Sequence, residues 1–248
     1  MRDERVNIIG VNISATNMNA ATDYTMDHFD QARGNYICVA NVHTTVMAHE
    51  DQQYRKIQNE SFLTLPDGKP LSVIGKKRGF SAMDRVTGPE YMEKMIELSR
   101  QNGLKHYFYG NTQQNLQKLI DYLQEKYPEL PVAGYQPSAF RELTEQEMTD
   151  LAAEIDASGA DFVWVGLGAP RQEVFCRNMI GRTNALMVGV GGAFNVICGI
   201  IPRAPQWMQD HSLEWLFRLL QEPRRLFKRY FVTNSKFLFY LLTHKTKS

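Results

Sequence analysis

Residues 161–205, DFVWVGLGAPRQEVFCRNMIGRTNALMVGVGGAFNVICGIIPRAP, limit what this chain can fold into more than any other stretch. Two short apolar runs sit in it, Phe162-Val163-Trp164-Val165 and Ala185-Leu186-Met187-Val188, and each is followed by glycine. Short, partly β-branched runs without alternation read as parallel strands buried on both faces. The first leaves through Gly166-Leu167-Gly168-Ala169-Pro170 toward a helix, the second through Gly189-Val190-Gly191-Gly192. Glycine lets the backbone bend and approach a ligand without a Cβ in the way. A strand, a glycine turn and a helix N-terminus together form an anion site, because free N–H groups and the helix dipole point at one spot. Two such turns side by side suit a diphosphate. The plain alternative is a pair of ordinary turns in an α/β sheet. Polar side chains in the turns favour a ligand: Arg171, Gln172 and Glu173 after the first, Asn195 after the second.

The rest of the chain alternates in the same way. Residues 6–13 read as a first strand or hairpin, 17–32 as a helix, 36–40 as a buried strand ending at Asn41, and 44–59 as a helix. Residues 62–65 form a short strand that stops at Pro66-Asp67-Gly68, which puts Asp67 on a tight turn at the strand's C-terminal end. Ligands of open α/β sheets bind at that edge. The loop 76–86 is polar and basic. Pro89 and Glu90 suit the first turn of a helix running to about residue 101. Strands at 105–109 and 131–135 flank a helix over 113–126, and Thr144 with Glu147 fits a capping box opening a helix to residue 157. The expected fold is a single doubly wound, mainly parallel Rossmann-like α/β sheet with helices on both faces, spanning residues 1–205.

Composition excludes several classes. No apolar run approaches the roughly 18 residues of a membrane span, and residues 1–14 lack a signal-peptide core. Cys38, Cys176 and Cys198 lie in or beside apolar stretches without metal-ligand spacing, so reduced core thiols are expected. The histidines show no metal signature. The net charge of +1 conceals an asymmetry: residues 223–248 hold seven Lys/Arg and no acid, leaving −6 on the remainder. A basic tail on an acidic body suggests an anionic partner. Past residue 205 the chain reads as a helical, basic appendage (206–248), helical over 206–220 and again after Pro223. At about 100° per residue, Phe227, Tyr230, Phe231, Leu238 and Leu241 form one stripe, with Arg225, Arg229 and Lys236 roughly opposite. An aromatic-rich basic amphipathic helix is the pattern of an interfacial membrane segment. The alternative is a helix packed on its own domain or on a second subunit, which leaves a homo-oligomer open.

Several motifs then line up: Asn41, Leu65-Pro66-Asp67-Gly68, Arg85-Val86-Thr87-Gly88, and the run from Gly166 to Glu173. They continue through Gly189-Val190-Gly191-Gly192 with Phe194, Arg203-Ala204-Pro205, and Leu213-Glu214-Trp215-Leu216 followed by Arg218-Leu219. Together they resemble the WecG/TagA/CpsF family of bacterial glycosyltransferases (glycosyltransferase family 26) from about residue 7 to residue 230. The resemblance implies inverting transfer of a sugar from a UDP-sugar to a polyprenyl-diphosphate-linked sugar at the cytoplasmic membrane face. The products would be teichoic acid, exopolysaccharide or common-antigen polymers. It implies a peripheral protein that binds an anionic membrane surface through its appendage, and no nucleic acid partner. Many members carry Asp where this chain has Asn195.

Inverting transfer needs a base for the acceptor hydroxyl and dipolar or positive groups for the departing diphosphate. Asp67 matches the family's proposed base; the competing use is a turn-forming Asp before Gly. Asn41 and Thr45 are expected to position substrate hydroxyls, although Asn41 also reads as a plain N-cap. Gln172 is expected to bond the base or a sugar hydroxyl. Arg85 is assigned to the donor nucleotide as a phosphate contact, with a surface ion-pair partner as the competing use. Asn111, Gly168, Arg171, Gly191, Gly192 and Asn195 are assigned to the donor nucleotide. Arg218, Arg224 and Arg225 are assigned to the acceptor diphosphate, since the guanidinium fork matches phosphate oxygens. No Asp-x-Asp occurs, so no metal and no cofactor are expected. A Rossmann enzyme using NAD or S-adenosylmethionine is the weaker alternative: Gly166-x-Gly168 lacks the third glycine of the dinucleotide fingerprint and its strand lies far from the N-terminus. A non-enzymatic module binding an anionic partner is the other.

Overall fold

Six apolar runs pair side by side into one parallel sheet. The computed structural model of the chain describes residues 4–211 and 213–243, apart from the side chains of Asp210 and Arg225. The strands, in chain order, are β1 (Arg5–Ile8), β2 (Val11–Ser14), β3 (Tyr36–Ala40), β4 (Leu63–Pro66), β5 (His106–Gly110), β6 (Val132–Gln136), β7 (Phe162–Gly166) and β8 (Leu186–Gly189). β1 and β2 form an antiparallel hairpin, and the other six are ordered β4-β3-β8-β7-β5-β6. Every pairing in the larger sheet is parallel.

Helices cover both faces. Met18–Asp27, Gly88–Arg100, Gln113–Lys126 and Ala193–Ile197 bury Ala21, Met92, Leu119 and Phe194 against Ile37, Phe108, Trp164 and Val188. On the other face, Glu145–Ser158 and Arg171–Met179 bury Leu151 and Phe175 against Cys38, Tyr109, Val163 and Met187. All but Gly166 of β7 is buried, which is why its sequence shows no polar alternation.

The topology fixes where a ligand can sit. The helix after β5 lies on one face and the helix after neighbouring β7 on the other, so the chain diverges between them and leaves a crevice at their C-terminal ends. Gly110 closes β5 there with φ +119°, and a Cβ on it would lie 2.8 Å from the Gly166 carbonyl group. Only glycine lets the two strand ends approach so closely.

Boundaries differ from expectation where short polar side chains compete with the helix. The helix expected over 44–59 is two, Val42–Glu50 and Gln52–Glu60, because Asp51 turns extended and caps the second through Gln53 N and Tyr54 N. The helix over 17–32 breaks at His28, and the one over 206–220 is Gln206–Asp210 and Glu214–Gln221. A helix at Lys69–Lys77 takes the start of the expected basic loop. The capping box at Thr144 is present.

The last helix, Pro223–Thr243, packs along Val42–Glu50. Leu226, Thr233 and Phe237 are buried on that side, and Glu50 accepts hydrogen bonds from Lys236 Nζ and Tyr240 Oη, both at 2.7 Å. Phe227, Phe231, Leu238 and Leu242 are exposed. Of the two readings set against each other in the sequence, packing on the body holds for one face of the helix, and another face leaves apolar side chains exposed. No helix among the described residues is long and apolar enough to cross a membrane.

Candidate active site

Because the large sheet is parallel, every strand delivers its C-terminal turn to one edge. Across that edge run Asp67 after β4, Asn41 after β3, Gly191 after β8, Gly168 after β7 and Asn111 after β5. With strands about 4.8 Å apart, Asp67 and the Gly168 turn are roughly 14 Å apart along the edge.

Backbone bonds hold the Asp67 end. Asp67 N donates to Ala40 O (2.7 Å), which extends the β3–β4 ladder by one residue and sets Asp67 beside Asn41. Val86 N donates to Pro66 O (2.9 Å), which carries Arg85 to the same point. Asn41 is the N-cap read from the sequence, and it also meets Asp67. Its Oδ1 accepts from His43 N (3.0 Å) and Thr44 N (3.2 Å) as a capping box, while its side chain also hydrogen-bonds the Asp67 carboxyl. Burial pushes that carboxyl up to about 6, against the pull of Arg218 and Arg85; Glu90 adds to the rise. Asp67 is thus a carboxyl that titrates close to neutrality, the range a general base needs. Arg85 pairs with Glu90 (3.8 Å) and with Glu214 of the Glu214–Gln221 helix, which draws the C-terminal segment over the site and brings Arg218 near Asp67.

The glycine turns form the other end. Gly168 has φ +77° and open space where a Cβ would stand, and Gly192 is open in the same way. Gln172 laces the turns together: its Oε1 accepts from Gly168 N (3.1 Å), and its Nε2 donates to Gly189 O (3.1 Å) and to Glu173 Oε1 (2.8 Å). At the crevice, Thr112 N donates to Asn111 Oδ1 (2.9 Å), so the other end of that amide is the donor to Asn195 Oδ1 (2.6 Å). Asn195 is left with its Nδ2 unbonded to protein among the described residues, at the end of a strand-edge crevice. Asn111 itself sits at φ +60°, a conformation Asn tolerates better than most residues.

Some expected contacts are corrected. Thr45 does not face the cleft: it is fully buried and its hydroxyl donates to Asn41 O (2.8 Å), so it supports the residue that does. Gln172 does not bond the base or offer itself to a sugar: it is buried and all its polar atoms are engaged by the turns and Glu173. Arg171 is exposed and folds back onto Leu167 O (3.2 Å). Arg224 is exposed, and the Arg225 side chain lies outside the described residues. Sequence reading missed Glu90 and Glu214 as partners of Arg85, and the meeting of His43 with Arg229, which it placed only on the basic side of the last helix. The last two line an open groove of about 400 Å³ between the Val42–Glu50 and C-terminal helices, with Lys228, Thr233 and Lys236. Arg229 Nε is buried there without a partner. The arginine-rich composition was the only available signal, since the groove is made by two helices nearly 190 residues apart.

No group of three or more His, Cys, Asp or Glu suited to a metal occurs among the described residues. His106, fully buried, bonds Trp164 Nε1 (3.0 Å) and Ser99 Oγ (2.9 Å) and belongs to the core.

Comparison with known proteins places the chain in a family. A family model described as "Glycosyl transferase WecG/TagA/CpsF family" matches residues 6–248. The chain is 28% identical over 212 residues to the N-acetylglucosaminyldiphosphoundecaprenol N-acetyl-beta-D-mannosaminyltransferase of Bacillus subtilis (strain 168), covering 85% of this chain and 81% of that one. It is 29% identical over 224 residues to the protein of the same name from Bacillus spizizenii, covering 89% and 84%. The family model, matched over nearly the whole length of the chain, identifies this protein as a glycosyltransferase belonging to the WecG/TagA/CpsF family.

Proposed function

We propose that this glycosyltransferase moves a sugar from a UDP-sugar to the terminal sugar of a polyprenyl-diphosphate-linked acceptor, with inversion, in the assembly of a bacterial cell-surface polysaccharide of the teichoic acid type. The observation that carries the reading is the convergence of Asp67, Asn41, Arg85 and Arg218 at the same sheet edge as the glycine turns. The names of both relatives, which specify a sugar-diphosphoundecaprenol acceptor, support it.

The Asp67 carboxylate takes the proton of the acceptor hydroxyl as that oxygen attacks the anomeric carbon. The bond from that carbon to the donor phosphate oxygen breaks, and UDP departs with the electron pair. Asn41 orients the carboxylate. The leaving diphosphate lies against the Gly168 and Gly191–Gly192 turns, whose Gly168 and Gly191 N–H groups are held by Gln172 Oε1 and Val165 O, with Asn111 and Asn195 beside the nucleotide. Arg218, with Arg224 and Arg225, takes the acceptor diphosphate, and Arg85, held by Glu90 and Glu214, borders the donor phosphates. No metal enters this scheme: turnover unchanged in EDTA agrees with it, and loss restored by Mg²⁺ or Mn²⁺ rejects it. Residues 206–248 form an appendage to the 1–205 domain and rest on an anionic membrane surface at the cytoplasmic face, with Phe227, Phe231, Leu238 and Leu242 inserted.

A thermal-shift panel of nucleotide sugars against wild type and Asp67→Asn, followed by product analysis on a short-chain lipid-diphosphate acceptor, tests the reading. UDP-sugars are expected to stabilise both proteins while only wild type makes a β-linked product from an α-linked donor. Stabilisation by none of them, or full turnover by Asp67→Asn, would reject it.

A further inference from the structure

Glu173 has no part in the reaction above, yet it lies directly behind the donor turns. It is 1% exposed. Its Oε1 accepts from Gln172 Nε2 (2.8 Å), while its Oε2 has no partner. The Gln172 amide it holds is the same one that accepts from Gly168 N and donates to Gly189 O, so a single side chain spaces the ends of β7 and β8. An amide with both N–H groups and its oxygen engaged has one orientation, and Glu173 supplies the side-chain acceptor that fixes it.

The setting does not suit a charged carboxylate. Tyr54, from the Gln52–Glu60 helix, faces the carboxyl; Cys38 of β3 and Cys176 of its own helix lie close; no Lys or Arg is among the groups that act on it. A carboxylate buried without a cation is costly and takes up a proton instead; burial pushes this one up. Gln58, also fully buried, donates through Nε2 to the Tyr54 hydroxyl (2.9 Å), and its Oε1 lacks a partner. Two buried acceptor oxygens without donors thus lie on either side of Tyr54. A proton on Glu173 turns one of them into a donor.

We propose that Glu173 is a positioning residue that carries a proton in the folded enzyme, and that this neutral carboxyl orients Gln172 and so sets the spacing of the two glycine turns around the donor diphosphate. The proposal rests on the reading of those turns as the donor cradle.

Glu173→Gln keeps the shape, an acceptor oxygen and a donor without charge. Glu173→Ala removes the acceptor, and Glu173→Asp draws it back by one methylene. On the full chain, donor KM and UDP Kd are expected to stay within about threefold of wild type in Glu173→Gln and to rise about tenfold or more in Glu173→Ala and Glu173→Asp, with acceptor KM unmoved. Glu173→Asp keeps the test open if Glu173→Ala fails to fold. At pH 8 the infrared carbonyl stretch of a protonated carboxyl is expected in wild type and absent from Glu173→Gln, a readout independent of turnover. A purely structural role would lower Tm without splitting donor from acceptor KM. Loss of donor binding in Glu173→Gln equal to that in Glu173→Ala, unmoved donor KM in Glu173→Asp, or no protonated-carboxyl band would each overturn the proposal. Wild type that binds no UDP would overturn the donor reading itself, and the infrared band would then report on Glu173 separately.

Discussion

Asp67 combines a position dictated by backbone bonds with a chemistry dictated by its neighbours. Its folded pKa of about 6 stands above its ordinary 3.8. A base must be ionised, so kcat/KM is expected to fall as pH drops through about 6. Asp67→Asn is expected to lose about 10²–10⁴-fold in turnover at all pH values, with UDP binding retained. A pH–rate profile with no acidic limb in wild type would count against Asp67. Stability has the opposite sign. A raised carboxyl pKa favours the folded state fully below 3.8 and loses that contribution as pH rises through about 6, so Asp67→Asn should flatten this part of the stability–pH curve in urea titrations. At the other end of the cleft, Asn195 presents an amide donor that an Asp would replace with an acceptor. Asn195→Asp keeps the bond from Asn111 but sets a negative charge where the proposed donor diphosphate would lie. It is expected to weaken UDP binding by about tenfold, measured by calorimetry; tighter binding would contradict the placement of the nucleotide there.

Among the elements, the strands were legible and the helix breaks were less so. Buried parallel strands announce themselves as short apolar runs, and β3, β4, β5, β6, β7 and β8 all fall within a residue or two of their expected positions. Asp51 broke a helix because a local cap competes with continuation, a contest that propensity alone does not decide, whereas the break at His28 has no side-chain cap. The Lys69–Lys77 helix escaped notice because Gly75 weakens its pattern. That glycine is required by packing, since a Cβ there would collide with Met83 Sδ. Gly110→Ala tests the approach of β5 to β7. With φ +119° and the Gly166 carbonyl group 2.8 Å from the added carbon, it is expected to cost about 2 kcal/mol or more in urea unfolding, through strain and overpacking. A change under half of that would show that the strand ends can part.

At the scale of the whole molecule, the C-terminal helix packs one face on the body and leaves apolar side chains exposed on another. Phe237→Ala empties a buried site and is expected to lower stability by about 3 kcal/mol or more. Phe227→Ser with Phe231→Ser removes only exposed apolar surface. That pair is expected to leave Tm nearly unchanged and to reduce co-sedimentation with anionic vesicles by about tenfold or more; unchanged vesicle binding would argue against insertion of this face. Local pattern was enough to specify the parallel sheet, the glycine turns, the turn carrying Asp67 and the basic, aromatic character of the tail, because each is written in contiguous residues whose spacing matches a strand, a turn or a helix. Only the tertiary structure could decide that Arg218 reaches Asp67, that Glu214 pairs with Arg85, that Gln172 and Thr45 are buried supports, and that one helix has both a docked and an exposed apolar face. Those outcomes depend on which surfaces meet across tens to hundreds of residues, and burial, which sets both the orientation of an amide and the proton affinity of a carboxyl, is a property of the packed whole.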